Sequence, residues 1–373
     1  MASGNTTDLL HHPSLPAFLQ QSRAQLHAKF VDLEWQQRNR LLQGTQAAHQ
    51  PFARLGGEAI AARNRYLNVE PYADNRIKLK VAKGVNDYIN ASPIALGKRR
   101  YIATQGPKNT SVNHFYRMLA DDHVVQSPVV VVMLTQTHEA GREKCFQYYP
   151  LAKEESPLVI EEDAEINDGF HGEVELDSVE QDASTRSEIR HLRLRTHMSR
   201  EADTPASEVK EKEIHHLLFS GWPDFLVPEG HDRRGLLSLI HLSASLNHPS
   251  STHPPINGHR PAHSSLTTPQ SNPRIIHCSA GVGRSGTFIA LDYLLSLLQT
   301  GDLDNIPTDR DPVAETVDLL RQQRMMMVQG EGQFYFVYEV LREQFLVQRL
   351  GVAPEALGLG GTGDTGAGAS VED

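Results

Sequence analysis

The sequence predicts an α/β fold, a twisted mixed β-sheet flanked by helices, and two observations carry that expectation. Strand-like and helix-like segments alternate through most of the chain. Residues 129–134 form a short, continuously apolar run, the pattern of a strand buried on both faces.

The elements follow in order. Residues 24–42 carry Leu26, Phe30, Leu33 and Leu41 among polar neighbours, which fits one or two amphipathic helices. Ile77, Leu79 and Val81 alternate with polar residues, as in a half-buried strand. The run 129–134 follows Pro128 and reads as the buried strand. Leu192 and Leu194, set between Arg193 and Arg195, suggest an edge-like antiparallel strand. Residues 214–220 read as another strand, ended by Gly221-Trp222-Pro223. A short strand over 274–277 feeds a glycine-rich turn and a helix from 285 to about 298. Asp311-Pro312 marks a helix start, with Asp as N-cap and Pro in the first turn. Val313, Val317 and Leu320 then fall on one helix face.

The 373 residues, 39% hydrophobic and 22% charged, support a sizeable core. Two cysteines, Cys145 and Cys278, cannot build a disulfide framework, so a reducing compartment is expected. The N-terminus shows no basic segment followed by an apolar one, and no apolar run could span a bilayer. The expectation is a cytoplasmic protein, with nuclear access open. Residues 154–182 hold twelve acidic residues and no Lys or Arg, so the rest of a chain of net charge −10 carries +2. That segment reads as a solvated loop or hairpin edge rather than a docking site for a basic partner. No basic stripe interleaved with aromatics is present, so nucleic acid is not expected as a partner.

Three stretches read as flexible: residues 1–20, an insert over 248–273 and a tail over 351–373. The insert holds six Pro, five Ser, three Thr and four His among 26 positions. Such a composition cannot bury enough surface to offset its ordering entropy. Its histidines lack fixed spacing, and no metal is expected there. The tail has seven Gly in 23 residues. The residues between, 21–350, form one domain.

The segment that carries chemistry is His277-Cys278-Ser279-Ala280-Gly281-Val282-Gly283-Arg284-Ser285-Gly286-Thr287. A strand leads in, glycines let the backbone curl and a helix leads out, which makes converging backbone N–H groups an anion cradle. Arg284 can pair with two phosphate oxygens at once. Cys278 would place its sulfur in a positive field that favours the thiolate, the nucleophilic form. Attack on phosphorus also needs an acid for the departing oxygen. Asp224, in Gly221-Trp222-Pro223-Asp224-Phe225, is the candidate. A loop Asp is more often a turn former or cap, and the sequence alone does not show that it reaches Cys278.

In these residues and the motifs around them, the chain resembles the phosphotyrosine-specific non-receptor protein-tyrosine phosphatases, and looks most like their fungal members. The resemblance runs over 64–346, through Asn64-Arg65-Tyr66, Asn86-Asp87-Tyr88-Ile89-Asn90-Ala91-Ser92, Tyr101-Ile102-Ala103-Thr104-Gln105-Gly106-Pro107, Lys144-Cys145-Phe146-Gln147-Tyr148-Tyr149-Pro150, Trp222-Pro223-Asp224, the Cys278 loop, and Gln329 with Gln333.

The resemblance implies hydrolysis of phosphotyrosine in proteins through a cysteinyl-phosphate on Cys278, in signal transduction, with no cofactor. Asp224 would serve as acid and then base on a mobile loop. Arg284 and the amides of Ser279, Ala280, Gly281, Val282, Gly283 and Arg284 would hold the phosphoryl group. Ser285 would hydrogen-bond the departing sulfur, and Gln329 would position water with help from Gln333. Glu139 would hold Arg284. Tyr66 would stack on the substrate ring and set the pocket's depth. Asn68 stands where many relatives carry Asp toward substrate amides. Leu67 occupies a position often basic, Tyr149 one usually Trp, and Gly330 one commonly Thr. The partners implied are phosphotyrosine-containing proteins; the oligomeric state is not indicated. The alternatives are a dual-specificity phosphatase and an inactive phosphotyrosine-binding module.

Overall fold

The computed structural model describes residues 12–46, 50–198, 209–223, 226–248 and 266–357. Its strands are β1 (Ala91–Leu96), β2 (Arg99–Thr104), β3 (Val129–Met133), β4 (His138–Glu139), β5 (Arg142–Glu143), β6 (Leu158–Ile160), β7 (Phe170–Asp182), β8 (Ser187–Met198), β9 (Lys210–Phe219) and β10 (Gln270–His277). Its α-helices are α1 (Arg23–Gly44), α2 (Glu58–Arg63), α3 (Val112–Ala120), α4 (Gly230–Leu246), α5 (Gly283–Thr300), α6 (Pro312–Gln323) and α7 (Glu331–Leu350).

Eight strands form one sheet in the order β1-β2-β10-β3-β9-β8-β7-β6. The pairs β2–β10, β10–β3 and β3–β9 are parallel, and the outer pairs are antiparallel. β3 therefore sits between two parallel neighbours, and all five of its residues are buried. Val130 and Val132 pack with α4, α5, α6 and α7 on one face, while Val129, Val131 and Met133 pack with α3 on the other. The sheet thus divides two cores, and the C-terminal ends of its parallel strands converge where β10 meets α5.

Several expected elements appear as read. α1 is one continuous helix, opened by a Ser22–Gln25 capping box and burying Leu26 and Leu33. Asp311 caps α6, accepting from the Val313 and Ala314 amides, with Val313, Val317 and Leu320 in the core. Asp311 Oδ2 also accepts from Tyr338 Oη at 2.7 Å and pairs with Lys29 at 2.5 Å, tying α6 to α7 and α1.

Other expectations are corrected. Residues 77–81 make only an antiparallel bridge between Lys78 and Tyr88, with the Ile77 amide donating to Ala91 O at 2.9 Å and the Leu79 amide to Asp87 O at 2.8 Å, and no ladder extends from it. β8 is not an edge: β7 and β9 pair with it on either side, and the arginines beside Leu192 and Leu194 meet carboxylates rather than open water. Arg195 pairs with Glu173 and Glu211, and Arg193 with Asp177. The acidic segment is therefore a hairpin edge, as read, but with several charges matched. Glu165 pairs with Arg63 and Asp168 with Arg117.

Parts of the stretches expected to be flexible belong to the folded domain. Leu15, Phe18 and Leu19 are buried, and Arg342 Nε donates to Leu19 O at 2.8 Å, so 15–19 belong to the domain. Val352 and Leu357 pack against the same core. The end of the insert is ordered too. Leu266 is buried and its carbonyl accepts from Arg99 Nη1 at 2.8 Å, and β10 begins at Gln270 rather than 274. Residues 249–265 of the insert and 358–373 of the tail lie outside the described residues.

Candidate active site

β10 ends at His277 and α5 starts at Gly283, so residues 278–282 form the turn between them. Cys278 is 5% exposed at its base. The Gly281 amide donates to Cys278 Sγ at 3.3 Å, a backbone dipole aimed at the sulfur. No side chain caps the N-terminus of α5, and its first N–H groups close the loop. Free amides at a helix start attract an anion.

The loop is shaped by what presses on it. Gly281 has φ +72°, and a Cβ there would lie 2.2 Å from Thr104 O. A Cβ on Gly106 would meet Cys278 O at 2.8 Å. The Gly106 amide donates to Ser279 O at 3.0 Å. The segment 104–106 therefore buttresses the turn from below. We predict that Gly281→Ala costs on the order of 1–3 kcal/mol in strain and lowers kcat about 10²-fold through displaced amides. Urea unfolding and steady-state kinetics check this, and an unchanged kcat would contradict it.

Arg284 is fixed by a bidentate pair with Glu139, at 2.5 and 2.9 Å, and also donates to Leu134 O at 3.0 Å. Glu139 stands on β4, which turns through Ala140 and Gly141, both at positive φ, into β5. Its carboxyl feels burial, which raises its pKa, but the Arg284 hydrogen bond and charge, with Thr135 and the Gln136 amide, hold it below the usual range. The pair orients the guanidinium toward the loop.

Tyr66 Oη meets Ser279 Oγ at 2.8 Å, and Ser279 donates to Lys144 O at 2.8 Å. Tyr66 thus stands at the rim, with Leu67 exposed and Asn68 exposed beside it. Gln333 lies against the loop: a Cβ on Gly283 would come within 3.1 Å of its amide and 3.5 Å of Gln329 Cβ. Gln333 Oε1 also accepts from the Gly330 amide at 3.2 Å, fixing the start of α7. Ser285 is fully buried, and its hydroxyl has no hydrogen-bond partner among the described residues. Asp224 lies outside the described residues.

Sequence reasoning missed the buried groups beneath the loop. Arg324 donates from Nε to Gly281 O at 2.9 Å and from Nη2 to Ala280 O at 3.0 Å, while Nη2 also reaches Asn90 Oδ1 and Nη1 reaches Ser92 Oγ. It turns the loop's carbonyls away from the cradle, so that its amides face inward. Burial lowers its pKa to about 10, against the raising influence of Tyr88 and Cys278. Nothing in the run Arg324-Met325-Met326-Met327 marks this role.

The second group is a chain of rings behind Cys278. Tyr148 Oη lies 2.7 Å from His277 Nε2 and 2.9 Å from His216 Nε2, and His277 Nδ1 lies 3.3 Å from Cys278 O. One proton arrangement satisfies the chain: His216 donates to Tyr148, Tyr148 to His277, and His277 to the carbonyl. Both imidazoles must then be neutral. Burial lowers the His277 pKa to about 4 despite the carbonyl bond, and holds that of His216 well below the usual imidazole value.

Because the unfolded histidines bind protons first, stability falls as pH drops through the window from about 6.5 to about 4. We expect about 3 kcal/mol from His277 alone, read as a falling urea midpoint between pH 7 and pH 4.5. A midpoint that stays flat across that range would contradict neutral imidazoles.

A family model described as protein-tyrosine phosphatase matches residues 61–343. Tyrosine-protein phosphatase 2 of Schizosaccharomyces pombe is 33% identical over 285 residues, 76% of this chain but 34% of that protein. Tyrosine-protein phosphatase 1 of Saccharomyces cerevisiae is 31% identical over 361 residues, 88% of this chain and 96% of that protein. This chain therefore spans about a third of the first relative and nearly all of the second. A solved complex of PTPN18 with HER2 phosphopeptides matches with a TM-score of 0.61 at 26% identity, covering 86% of this chain and 99% of that one.

Proposed function

Since this chain belongs to the protein-tyrosine phosphatase family, we propose that it hydrolyses phosphotyrosine in proteins by a two-step cysteinyl-phosphate mechanism. The observation that carries this reading is Cys278 under the Gly281 amide, in a loop closed by an uncapped helix start and an Arg284 locked by Glu139.

In the first step the Cys278 thiolate attacks phosphorus, and the tyrosyl oxygen leaves with a proton from Asp224. A positioned acid is worth about 10²–10⁴-fold. The amides of 279–284 and the Arg284 guanidinium stabilise the charge on the transferring group. In the second step water, oriented by Gln329 with Gln333 alongside, attacks the cysteinyl-phosphate. Asp224 takes the water's proton, and the buried Ser285 hydroxyl donates to the departing sulfur. Tyr66 forms the pocket wall, and Asn68 accepts from substrate amides. The depth set by Tyr66 admits phosphotyrosine and leaves shorter phosphoserine short of the sulfur.

The phosphopeptide complex of PTPN18 supports phosphotyrosine-containing partners. No described helix is long and apolar enough to cross a membrane. We place the protein in the cytoplasm, acting in signal transduction.

The test is hydrolysis of a phosphotyrosine peptide and its phosphothreonine counterpart, with EDTA present. Turnover of the first alone is expected. Equal turnover of both would make it a dual-specificity enzyme, and binding without cleavage would make it a recognition module.

A further inference from the structure

On β9, Glu213 and His215 are two residues apart and so project from the same face of the sheet. His191 is the direct cross-strand partner of His215 on β8. One donor atom from each of the three lies within 4.8 Å of the others. This face is opposite to that of His216, which points into the Tyr148–His277 chain.

We propose that His191, Glu213 and His215 form a zinc site that clamps β8 to β9. The two Nδ1 atoms face each other at 3.0 Å. Two imidazoles on one tetrahedral zinc ion hold their nitrogens ~3.3 Å apart, given Zn–N bonds of about 2.0–2.1 Å. The pair therefore needs to open by only a few tenths of an ångström. Two nitrogens and a carboxylate oxygen suit zinc, and leave one coordination position open.

His215 is fully buried, and its Nδ1 contact with His191 is the ring's polar tether, since its Nε2 has no hydrogen-bond partner among the described residues. A further observation points to a ligand. Glu213 stands directly across from Arg193, but Arg193 pairs with Glu175, Asp177 and Glu211 instead. Among the described residues no cation pairs with the Glu213 carboxylate. β9 runs on into Gly221-Trp222-Pro223, so the clamp would stiffen the strand that leads to Asp224.

The test is zinc titration of the full chain carrying Cys278→Ser, which removes the thiolate as a rival ligand, by calorimetry and by thermal melting. One equivalent should bind and raise the melting temperature, as a ligand of the folded state does. Adding His191→Ala or Glu213→Gln should weaken that equivalent at least about 10-fold and abolish the rise. Histidines of residues 248–263 are common to all these proteins, so the difference isolates the clamp. Glu213 is exposed, so its variant carries the test if His191→Ala does not fold. No binding to the Cys278→Ser protein, or binding untouched by either added substitution, would overturn the proposal. Since EDTA would strip this zinc without touching Cys278, the hydrolysis test is independent of it.

Discussion

Cys278→Ser is expected to abolish hydrolysis, a loss on the order of 10⁵-fold or more, while phosphopeptide binding persists. The hydroxyl is not ionised at neutral pH and cannot attack phosphorus. What holds the phosphate is unaffected by the change. The amides of the loop keep their direction because Arg324 holds the Ala280 and Gly281 carbonyls and Gly106 holds that of Ser279. Arg284 keeps its pair with Glu139. Binding of a phosphotyrosine peptide, measured by calorimetry beside wild-type kinetics, separates the two properties. Residual turnover, or loss of binding, would contradict a division of labour between sulfur and cradle.

Asp292→Asn is expected to cost about 3–5 kcal/mol of stability. Asp292 lies on α5, fully buried, and accepts from Arg99 Nε at 2.6 Å, from Arg99 Nη2 at 3.0 Å and from Arg274 Nη2 at 2.5 Å. Tyr101 donates to it as well. Burial raises its pKa, but the two arginines outweigh this and hold the carboxyl well below the usual carboxylate range. The contribution is therefore fully present at neutral pH and is lost only in strong acid.

The amide keeps the volume but leaves two guanidinium groups buried without a counter-charge, and turns a donor toward them. Arg99 and Arg274 stand on β2 and β10, so the loss loosens the strand that ends at His277. Urea unfolding should show a lower midpoint with an unchanged slope. A change below about 1 kcal/mol would mean that the cluster is not held by charge.

What could be read in the sequence was set by chemistry that few residues can perform. A loop that points amides inward needs glycine where a Cβ would strike Thr104 O, and a phosphate clamp needs arginine, so the Cys278 segment shows its purpose in its letters. The Asp311-Pro312 helix start is legible for the same reason. β3 was visible because a strand buried on both faces excludes polar residues.

What escaped depends on partners distant in the chain. Arg324, Asp292 and His216 find their contacts across many residues of sequence, and no spacing encodes such meetings. The edge reading of β8 failed because alternation with arginine looks the same whether water or Glu173 and Glu211 lie beyond. Leu266 looked like part of a solvated insert because its composition gives no sign that Arg99 and the core hold its end. Residues 77–81 had the right period, but their pairing with 87–91 stops at a single bridge.

The most direct measurement of the central claim is a rapid quench of wild-type enzyme with a phosphotyrosine peptide, followed by mass analysis of its proteolytic fragments. One phosphoryl group is expected on the fragment that contains Cys278, formed before phosphate is released and absent after Cys278→Ser. Release of phosphate with no phosphoryl group ever found on Cys278 would contradict it.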